Sequence, residues 1–375
     1  VCKTGKKVVV TGCLVERYLE DLKASIPEVN LWIPIREYSH FSELLESLFE
    51  NKEEIAKEIR KQILCGKWKP PDHKVHELNE GAHKKKRNII KPRFENEQIV
   101  HHMLIRQLKP ILYPKIYRYA FGSIPKRGTH ACVKALKKFK DSYNGKRFYV
   151  LECDIHHFYD SINKDILKGN LDRLIRDRKF KEILFLVIDG YGPGLPKGTY
   201  TSPWLSHYYM MPFDNYVVQE LKPDHYVRFV DNIFILCGSK RKLHRIFGSI
   251  KEYLAKELDL AIKDDWQIFC FEDSSEKHGR YINAIGFTIH RNHIGVRKSI
   301  LKRIRAKAHM INKKKKYTYH DCGSMMARIS YFKHADCYGY YKDHIKPYVS
   351  IQHCKRRISE HDRRKNRNDK LERSA

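Results

Sequence analysis

Two aspartates that follow mostly apolar runs are the residues best suited to chemistry in this chain. Asp154 ends the run 148–153, and Asp231 ends the run 225–230. Two carboxylates that converge can hold a pair of divalent ions, which activate an attacking oxygen and stabilise a leaving oxygen in phosphoryl transfer. Each segment alone also fits a simpler interpretation, since an Asp after a strand often starts a turn and Asp231-Asn232 suits a hairpin tip.

A loop rich in glycine and proline lies between the two aspartates. Gly194, Pro196, Lys197 and Gly198 precede a segment that becomes helical after Ser202. Small residues allow a backbone to approach a nucleotide or a template closely. An ordinary strand-to-helix loop would have the same composition, so both interpretations stay open.

The charge of the chain indicates a polyanionic partner. Lys and Arg number 74 against 44 Asp and Glu, which gives a net charge of +30. Such an excess favours binding to nucleic acid or to an anionic membrane surface. No apolar run approaches the roughly 20 residues that span a bilayer. No signal peptide is visible, so we expect a cytoplasmic protein.

The cysteines and histidines do not form local metal-binding patterns. The ten cysteines include no C-x-x-C pair, which argues against a zinc ribbon or a local iron–sulfur site. We expect free thiols in a reducing compartment. The adjacent pairs His101-His102 and His156-His157 are interpreted as polar or core residues.

Apolar periodicity predicts a mixture of helices and strands. We expect a βαβ fragment in residues 1–40, helices over 41–64, 95–112 and 239–260, a linker or extended arm over 66–81, a basic strand or loop over 83–91, and a strand pair over 266–271 and 281–290. The charged segment from residue 351 is poor in apolar residues and is predicted to be disordered.

Taken in order, several segments resemble the reverse transcriptases, in particular those of bacterial mobile elements such as group II introns. The resemblance covers about residues 75–350. Its segments are Lys85–Ile89, Tyr119–Ser123 and Arg127–His130 of the fingers, Asp154–Ile162 of the first palm motif, the Gly194–Pro203 loop, the Phe229–Asn232 hairpin, and the Ala284–Ile289 strand that grips the primer. Several motifs in the right order are specific, although each alone is weak.

The resemblance implies an α+β right-hand polymerase. Its parts would be fingers over 75–149, a palm with an antiparallel sheet over 150–298 and a helical thumb over 299–350. A helix and linker over 41–74 would precede the fingers, and a basic disordered tail over 351–375 would follow the thumb.

Matching positions imply the catalytic roles. Asp154 and Asp231 would hold two Mg²⁺ or Mn²⁺ ions, with the Ile155 carbonyl as a further ligand. Tyr159 would lie under the sugar and exclude a 2′-hydroxyl, with core packing as the competing interpretation. Asn232 stands where the family has a second Asp and supplies a weaker ligand for Mg²⁺. We therefore expect a preference for Mn²⁺, unless Asn232 instead donates a hydrogen bond that fixes the hairpin tip.

Further substrate contacts follow from the same matching. Lys85 and Arg87 would pair with the triphosphate, although a solvated basic face is an equal alternative. Gly286 and Phe287 would form the primer grip. Lys197 departs from the Gln that is common at its position. The implied substrate-binding loop contains Gly194, Pro196, Lys197, Gly198 and Ser202, and Lys263 would belong to the fourth palm motif.

The function that this resemblance implies is DNA synthesis on an RNA template, in which a DNA or RNA primer is extended with dNTPs. A catalytically weak RNA-binding or maturase module would have the same charge and aromatic content.

Residues 1–40 resemble part of the amino-terminal domain of radical-SAM methylthiotransferases, with Cys13 matching one cluster cysteine. A single thiol cannot hold an iron–sulfur cluster, so this segment is interpreted as a remnant, and a tRNA methylthiotransferase is the other alternative.

Overall fold

The computed structural model describes residues 9–11, 31–33, 52–71, 75–80, 85–272, 279–314 and 317–374. The chain divides into two compact units, residues 49–280 and residues 281–375 together with 1–48. Two short strands near the amino end, β1 (Val9–Thr11) and β2 (Leu31–Ile33), pair in parallel. Parallel pairing agrees with the predicted βαβ fragment, whose helix lies outside the described residues.

The unit of residues 49–280 begins with helix α1 (Lys52–Leu64) and an antiparallel hairpin of β3 (Val75–Glu80) and β4 (Lys85–Ile90). The basic segment over 83–91 therefore contains a strand, and the predicted linker over 66–81 contains another. The start of the predicted helix over 41–64 lies outside the described residues.

An antiparallel-rich sheet of five strands forms the centre of this unit. The strands are β5 (Ala120–Phe121), β6 (Tyr149–Asp154), β7 (His225–Phe229), β8 (Asn232–Cys237) and β9 (Gln267–Cys270). Their order is β5-β7-β8-β6-β9, and only the β5–β7 pair is parallel. The apolar runs before the two aspartates thus become β6 and β7, the two strands that flank β8, because buried strands need near-continuous apolar sequence.

Helices surround this sheet. They are α2 (Ile99–Leu112), α3 (Thr129–Ser142), α4 (Phe158–Ser161), α5 (Lys164–Leu174), α6 (Arg178–Asp189), α7 (Ser202–Tyr209), α8 (Met211–Tyr216) and α9 (Lys240–Leu258), with π-helical turns at Phe94–Gln98 and Val217–Leu221. The predicted helices over 95–112 and 239–260 are confirmed with small changes at their ends.

The apolar periodicity of helix α9 gives it one face that packs on the sheet. It begins after Ser239, whose hydroxyl accepts a hydrogen bond from the Lys242 backbone N–H at 3.3 Å. Its apolar face contacts β6, β8 and β9. Fully burying each large aliphatic side chain contributes roughly 1.5–3 kcal/mol. The buried face consists of Leu243, Ile246, Phe247, Ile250, Leu254 and Leu258.

The other unit contains a small sheet and a group of helices. Strands β10 (Ile282–Ala284), β11 (Phe287–Ile289) and β12 (Ile294–Val296) form an antiparallel meander. The helices that follow are α10 (Lys298–Asn312), α11 (Tyr319–Ile329), α12 (Tyr338–His344) and α13 (Ile351–Ser374), with a 3₁₀ turn at Ser330–His334.

Two sequence-based expectations are wrong for this carboxyl-terminal region. The strands over 266–271 and 281–290 do not pair with each other, because β9 takes the free edge of β6 while β10 and β11 pair within their own sheet. The tail from 351 is helical, because apolar residues spaced along its first turns, among them Cys354 and Ile358, join the core of this unit. Within the described residues, no helix is long and apolar enough to cross a membrane.

Candidate active site

The register of the central strands brings the two aspartates together. Strands β6 and β8 pair antiparallel with Asp154 opposite Asn232. The β7–β8 turn therefore places Asp231 beside the end of β6, and the Ile155 backbone N–H donates to the Asp231 carbonyl at 3.3 Å. Ile155 itself is fully buried. Each aspartate does lie at the end of a strand where a turn begins, as the simpler interpretation predicts. The pairing of β6 and β7 with β8 then brings the two turns together into a single site.

The electrostatics of the two carboxylates indicate a site built for a cation. Burial and, to a smaller extent, the negative charge of Asp154 together raise the pKa of Asp231 to about 6. The Asp154 Oδ2 accepts a hydrogen bond from Lys263 Nζ. The Asp154 Oδ1 is buried without a hydrogen-bond partner, which is costly for a charged oxygen unless a ligand satisfies it.

These donors fit a hard divalent ion. Carboxylate oxygens are the ligands that Mg²⁺ and Mn²⁺ prefer, and Mg²⁺ is commonly held by one or two carboxylates together with substrate phosphates. In the part of the chain that the structure describes, no three His, Cys, Asp or Glu side chains lie close enough together to hold a metal ion by themselves. The protein would thus supply Asp154 and Asp231, leaving the other positions to water and substrate oxygens.

Asn232 contacts its neighbour in the turn. Its Nδ2 donates to the Asp231 Oδ1 at 3.2 Å. This contact favours the second of the two sequence-based interpretations, in which the amide fixes the hairpin tip. An Asp at this position could not donate, and it would place a third carboxylate opposite Asp154 in the register.

The glycine-rich loop lies against the segment that follows Asp154. The Leu195 backbone N–H donates to the Tyr159 carbonyl at 2.7 Å. Gly194 has a φ of +69°, and a Cβ there would lie 2.2 Å from that same carbonyl oxygen. Only glycine fits this approach. The loop is therefore joined to the aspartate segment by main-chain contact.

The same loop contacts the end of strand β4. The Ile90 backbone N–H donates to the Lys197 carbonyl at 2.9 Å. Gly198, with a φ of +114°, passes so close that a Cβ would meet the Ile90 oxygen at 2.2 Å. The Lys197 Nζ forms an ion pair with Asp160 at 2.6 Å. Lys197 thus links the loop to helix α4, beside Tyr159.

A buried polar network holds both ends of this loop. His101 Nδ1 bonds the Thr201 hydroxyl at 2.8 Å, and His101 Nε2 bonds the Tyr191 hydroxyl at 2.9 Å. Tyr191 also donates to Glu97. The prediction that His101 is a core residue is correct, but its role as a link between the two loop ends depends on contacts distant in sequence.

The other predicted residues of the loop region have mainly structural contacts. Ser202 is buried, and its hydroxyl bonds the Thr199 hydroxyl at 2.6 Å. Pro196 is half-buried. Tyr159 is half-buried and packs on the core, and burial raises the pKa of its phenol while a hydrogen bond with Ser206 opposes that rise. Both interpretations of Tyr159 therefore remain compatible with its position.

Four predicted residues are not joined to this site by described contacts. Lys85 and Arg87 are in β4, and their side chains lie outside the described part of the chain. Gly286 and Phe287 belong to the other unit, where Phe287 is fully buried. Their roles in triphosphate binding and primer grip stay predictions.

Sequence reasoning missed the residues that support the hairpin turn. Arg228 is fully buried in β7 and forms an ion pair with the buried Asp214 at 2.5 Å. The signal was present, since an Arg inside the apolar run 225–230 needs a buried partner. The sequence did not show which of the acidic residues supplies it.

The fold and this site define a family. The family model described as "Reverse transcriptase (RNA-dependent DNA polymerase)" matches residues 82–321, more than half of the chain. The chain therefore belongs to the reverse transcriptase family. Its fold is the α+β right-hand polymerase fold that the sequence predicts.

Curated relatives match parts of the chain. Protein YkfC of Escherichia coli (strain K12) is 23% identical over 171 residues, which cover 42% of this chain and 44% of the relative. The ribosomal protein uS12 methylthiotransferase RimO of Thermotoga sp. (strain RQ2) is 43% identical over 60 residues, which cover 15% of this chain and 14% of the relative. The predicted resemblance to methylthiotransferases is thus confirmed as a partial match. The chain spans less than half the length of these relatives.

Among solved structures, apo telomerase from Candida Tropicalis is similar with a TM-score of 0.47 and 12% identity. The similarity covers 74% of this chain and 56% of that chain.

Proposed function

We propose that the chain is an RNA-directed DNA polymerase that adds dNTPs to the 3′-hydroxyl of a DNA or RNA primer on an RNA template. The observation that carries the proposal is that the β6–β8 register brings Asp154 next to the turn that carries Asp231, with one buried oxygen of Asp154 unsatisfied. Membership of the reverse transcriptase family supports it.

The two aspartates would hold two divalent ions, Mg²⁺ or Mn²⁺. When bound, such ions activate the attacking hydroxyl and stabilise the leaving pyrophosphate oxygen. The pKa of Asp231 is raised first by burial and then by the charge of Asp154, and a bound cation would offset both effects. Lys263 holds the remaining Asp154 oxygen and so fixes the orientation of that carboxylate.

Surrounding residues would position the substrates. The loop of Gly194–Gly198 lies between β4 and the Tyr159 backbone, where it would hold these two substrate-binding segments in place. Tyr159 would lie under its sugar, and Lys85 and Arg87 of β4 would meet its triphosphate. Gly286 and Phe287 would contact the primer strand, and the net charge of +30 would attract the RNA.

We also propose fingers, palm and thumb at the boundaries that the sequence predicts, and a cytoplasmic location. The cysteines that the structure describes are free thiols, which suits a reducing compartment.

Primer extension on an RNA template tests this function. The parent should extend a DNA primer in Mg²⁺ or Mn²⁺, and Asp154→Asn should abolish extension while RNA binding is kept. A matched control is Asp165→Asn, which changes a carboxylate that is 93% exposed on α5 and should leave extension unchanged. Retained RNA binding without extension by the parent would instead support the RNA-binding module.

A further inference from the structure

The backbone of the turn that carries Asp231 is uncommon. Val230 has a φ of 56°, a left-handed conformation that β-branched residues rarely adopt. Such a conformation persists only where surrounding contacts determine it, and it is frequent at functional sites. The contacts around Val230 therefore bear on the placement of the next residue, Asp231.

Two of these contacts come from the last residue of strand β5 and the glycine that follows it. The Val230 backbone N–H donates to the Phe121 carbonyl at 2.9 Å. Gly122, with a φ of +100°, lies against the valine side chain, and a Cβ there would be 2.4 Å from Val230 Cγ2. These contacts fix the N–H and the side chain of Val230 but not its carbonyl.

Arg228 fixes that carbonyl. Its Nη1 donates to the Val230 oxygen at 2.8 Å. The other side of the guanidinium is held by Asp214, with Nε and Nη2 donating to the two carboxylate oxygens at 2.8 and 2.5 Å. Tyr226 donates to the same carboxylate at 2.7 Å. Both members of the ion pair are buried.

The shape of the guanidinium makes this arrangement specific. A planar fork held at two nitrogens by one carboxylate points its third nitrogen in a fixed direction. Here that direction is the Val230 carbonyl. A lysine would keep the positive charge beside Asp214 but could not hold the carboxylate at two points and the carbonyl at a third.

We propose that Arg228 is a positioning residue, which, held by Asp214, anchors the Val230 carbonyl and so keeps the Asp231 carboxylate directed towards Asp154. The inference rests on the proposed function, because it gives this ion pair a purpose at the proposed metal site. It predicts that loss of the carbonyl anchor weakens metal binding even where the fold is intact.

The test compares Arg228→Lys with Tyr226→Phe. Arg228→Lys keeps the charge but removes the anchor, whereas Tyr226→Phe removes a hydrogen bond to the same Asp214 and leaves the anchor. Mn²⁺ affinity is measured by titration with electron paramagnetic resonance detection, together with hydrogen exchange of the peptide that contains the 230–232 turn. Changes to residues that orient a metal ligand typically weaken metal affinity by about 10–100-fold.

We expect Arg228→Lys to bind Mn²⁺ at least about tenfold more weakly and to exchange the turn amides faster. Tyr226→Phe should keep Mn²⁺ affinity within about threefold, under ~1 kcal/mol at 1.4 kcal/mol per tenfold. Parental affinity and exchange in Arg228→Lys would overturn the proposal. An equal loss in both variants would overturn it too, since the effect would then belong to general destabilisation.

A second variant keeps the test decisive if Arg228→Lys does not fold. The triple change Asp214→Leu, Tyr226→Phe and Arg228→Met replaces the whole network with apolar groups, a replacement that is often neutral or stabilising. It should fold and still bind Mn²⁺ weakly, and parental affinity would refute the role of Arg228. A parent that binds no Mn²⁺ would refute the proposed metal site itself, which is a distinct outcome.

Discussion

Replacing Asp231 with Asn should stabilise the metal-free protein while ending catalysis. The change removes a carboxylate whose charged form is disfavoured first by burial and then by the charge of Asp154. The new carboxamide could still accept the hydrogen bond from Asn232, which reaches Oδ1 at 3.2 Å in the parent. Its amide group could donate to Asp154, whose Oδ1 has no partner. The variant thus satisfies the buried oxygen without a metal.

The magnitude follows from the pKa of Asp231. Its rise from 3.8 to about 6 corresponds to at most about 3 kcal/mol, at 1.36 kcal/mol for each pH unit. Because the folded state binds this proton more tightly, the destabilisation grows as pH rises from about 4 to about 6 and is complete above that. For a unit of this size, the melting temperature should rise by up to about 10 °C at pH 7.

The assay is urea or thermal unfolding in EDTA at pH 7, 6 and 5. The stability difference between variant and parent should be largest at pH 7 and fade towards pH 4. Taking the difference matters because burial lowers the pKa of His207 to about 3 and that of His102 to about 4. Neutral buried histidines make both proteins less stable as the pH falls, so their contribution cancels.

A matched variant separates repulsion from other effects. Asp154→Asn also removes a carboxylate, but it takes the partner away from Lys263 and should not give the same gain. Both variants should lose primer extension. The reasoning is refuted if Asp231→Asn is no more stable than the parent at pH 7 in EDTA, or if its advantage is the same at pH 5.

Three further predictions concern the substrate side of the site. Tyr159→Val should admit ribonucleotides while Tyr159→Phe keeps discrimination in nucleotide-incorporation assays, and equal discrimination by all three proteins would make this residue a packing residue only. Asn232→Asp should lower Mg²⁺-dependent extension, because the donor to Asp231 is replaced by a third negative charge; higher Mg²⁺ activity would show that the amide is only a weak ligand. Thr201→Val removes the hydroxyl that bonds His101 at 2.8 Å, a hydrogen bond worth about 1 kcal/mol. KM for dNTP should therefore rise by about fivefold with little change in kcat, and an unchanged KM would show that the network does not fix the position of the loop.

The sequence by itself determined the local pieces of this protein. Apolar runs ending at Asp154 and Asp231 predict two strands followed by turns, and the periodicity over 239–260 predicts the helix that packs on them. Their order along the chain was enough to identify the family, since several weak motifs in one order are jointly specific. These inferences succeed because they depend on neighbours within a few residues.

Local composition was misleading where distant partners decide the outcome. The strand over 266–271 pairs with β6 rather than with the strand after it, because the free edge of β6 is a property of the sheet. The segment from 351 forms a helix because its few apolar residues meet the core of the unit that contains residues 281–375. Neither partner can be read from the charge of the segment itself.

Only the tertiary structure decided how the site is held. The register of β6 and β8 places Asp154 opposite Asn232, and a slip of one residue would turn the side chains to the other face. The buried pair of Arg228 and Asp214 joins residues 14 positions apart on different elements, and the link from His101 to Thr201 joins residues 100 positions apart. The physical reason is that a buried charge or hydroxyl needs a partner. The sequence shows that such a group is present, but only the fold determines which residue becomes its partner.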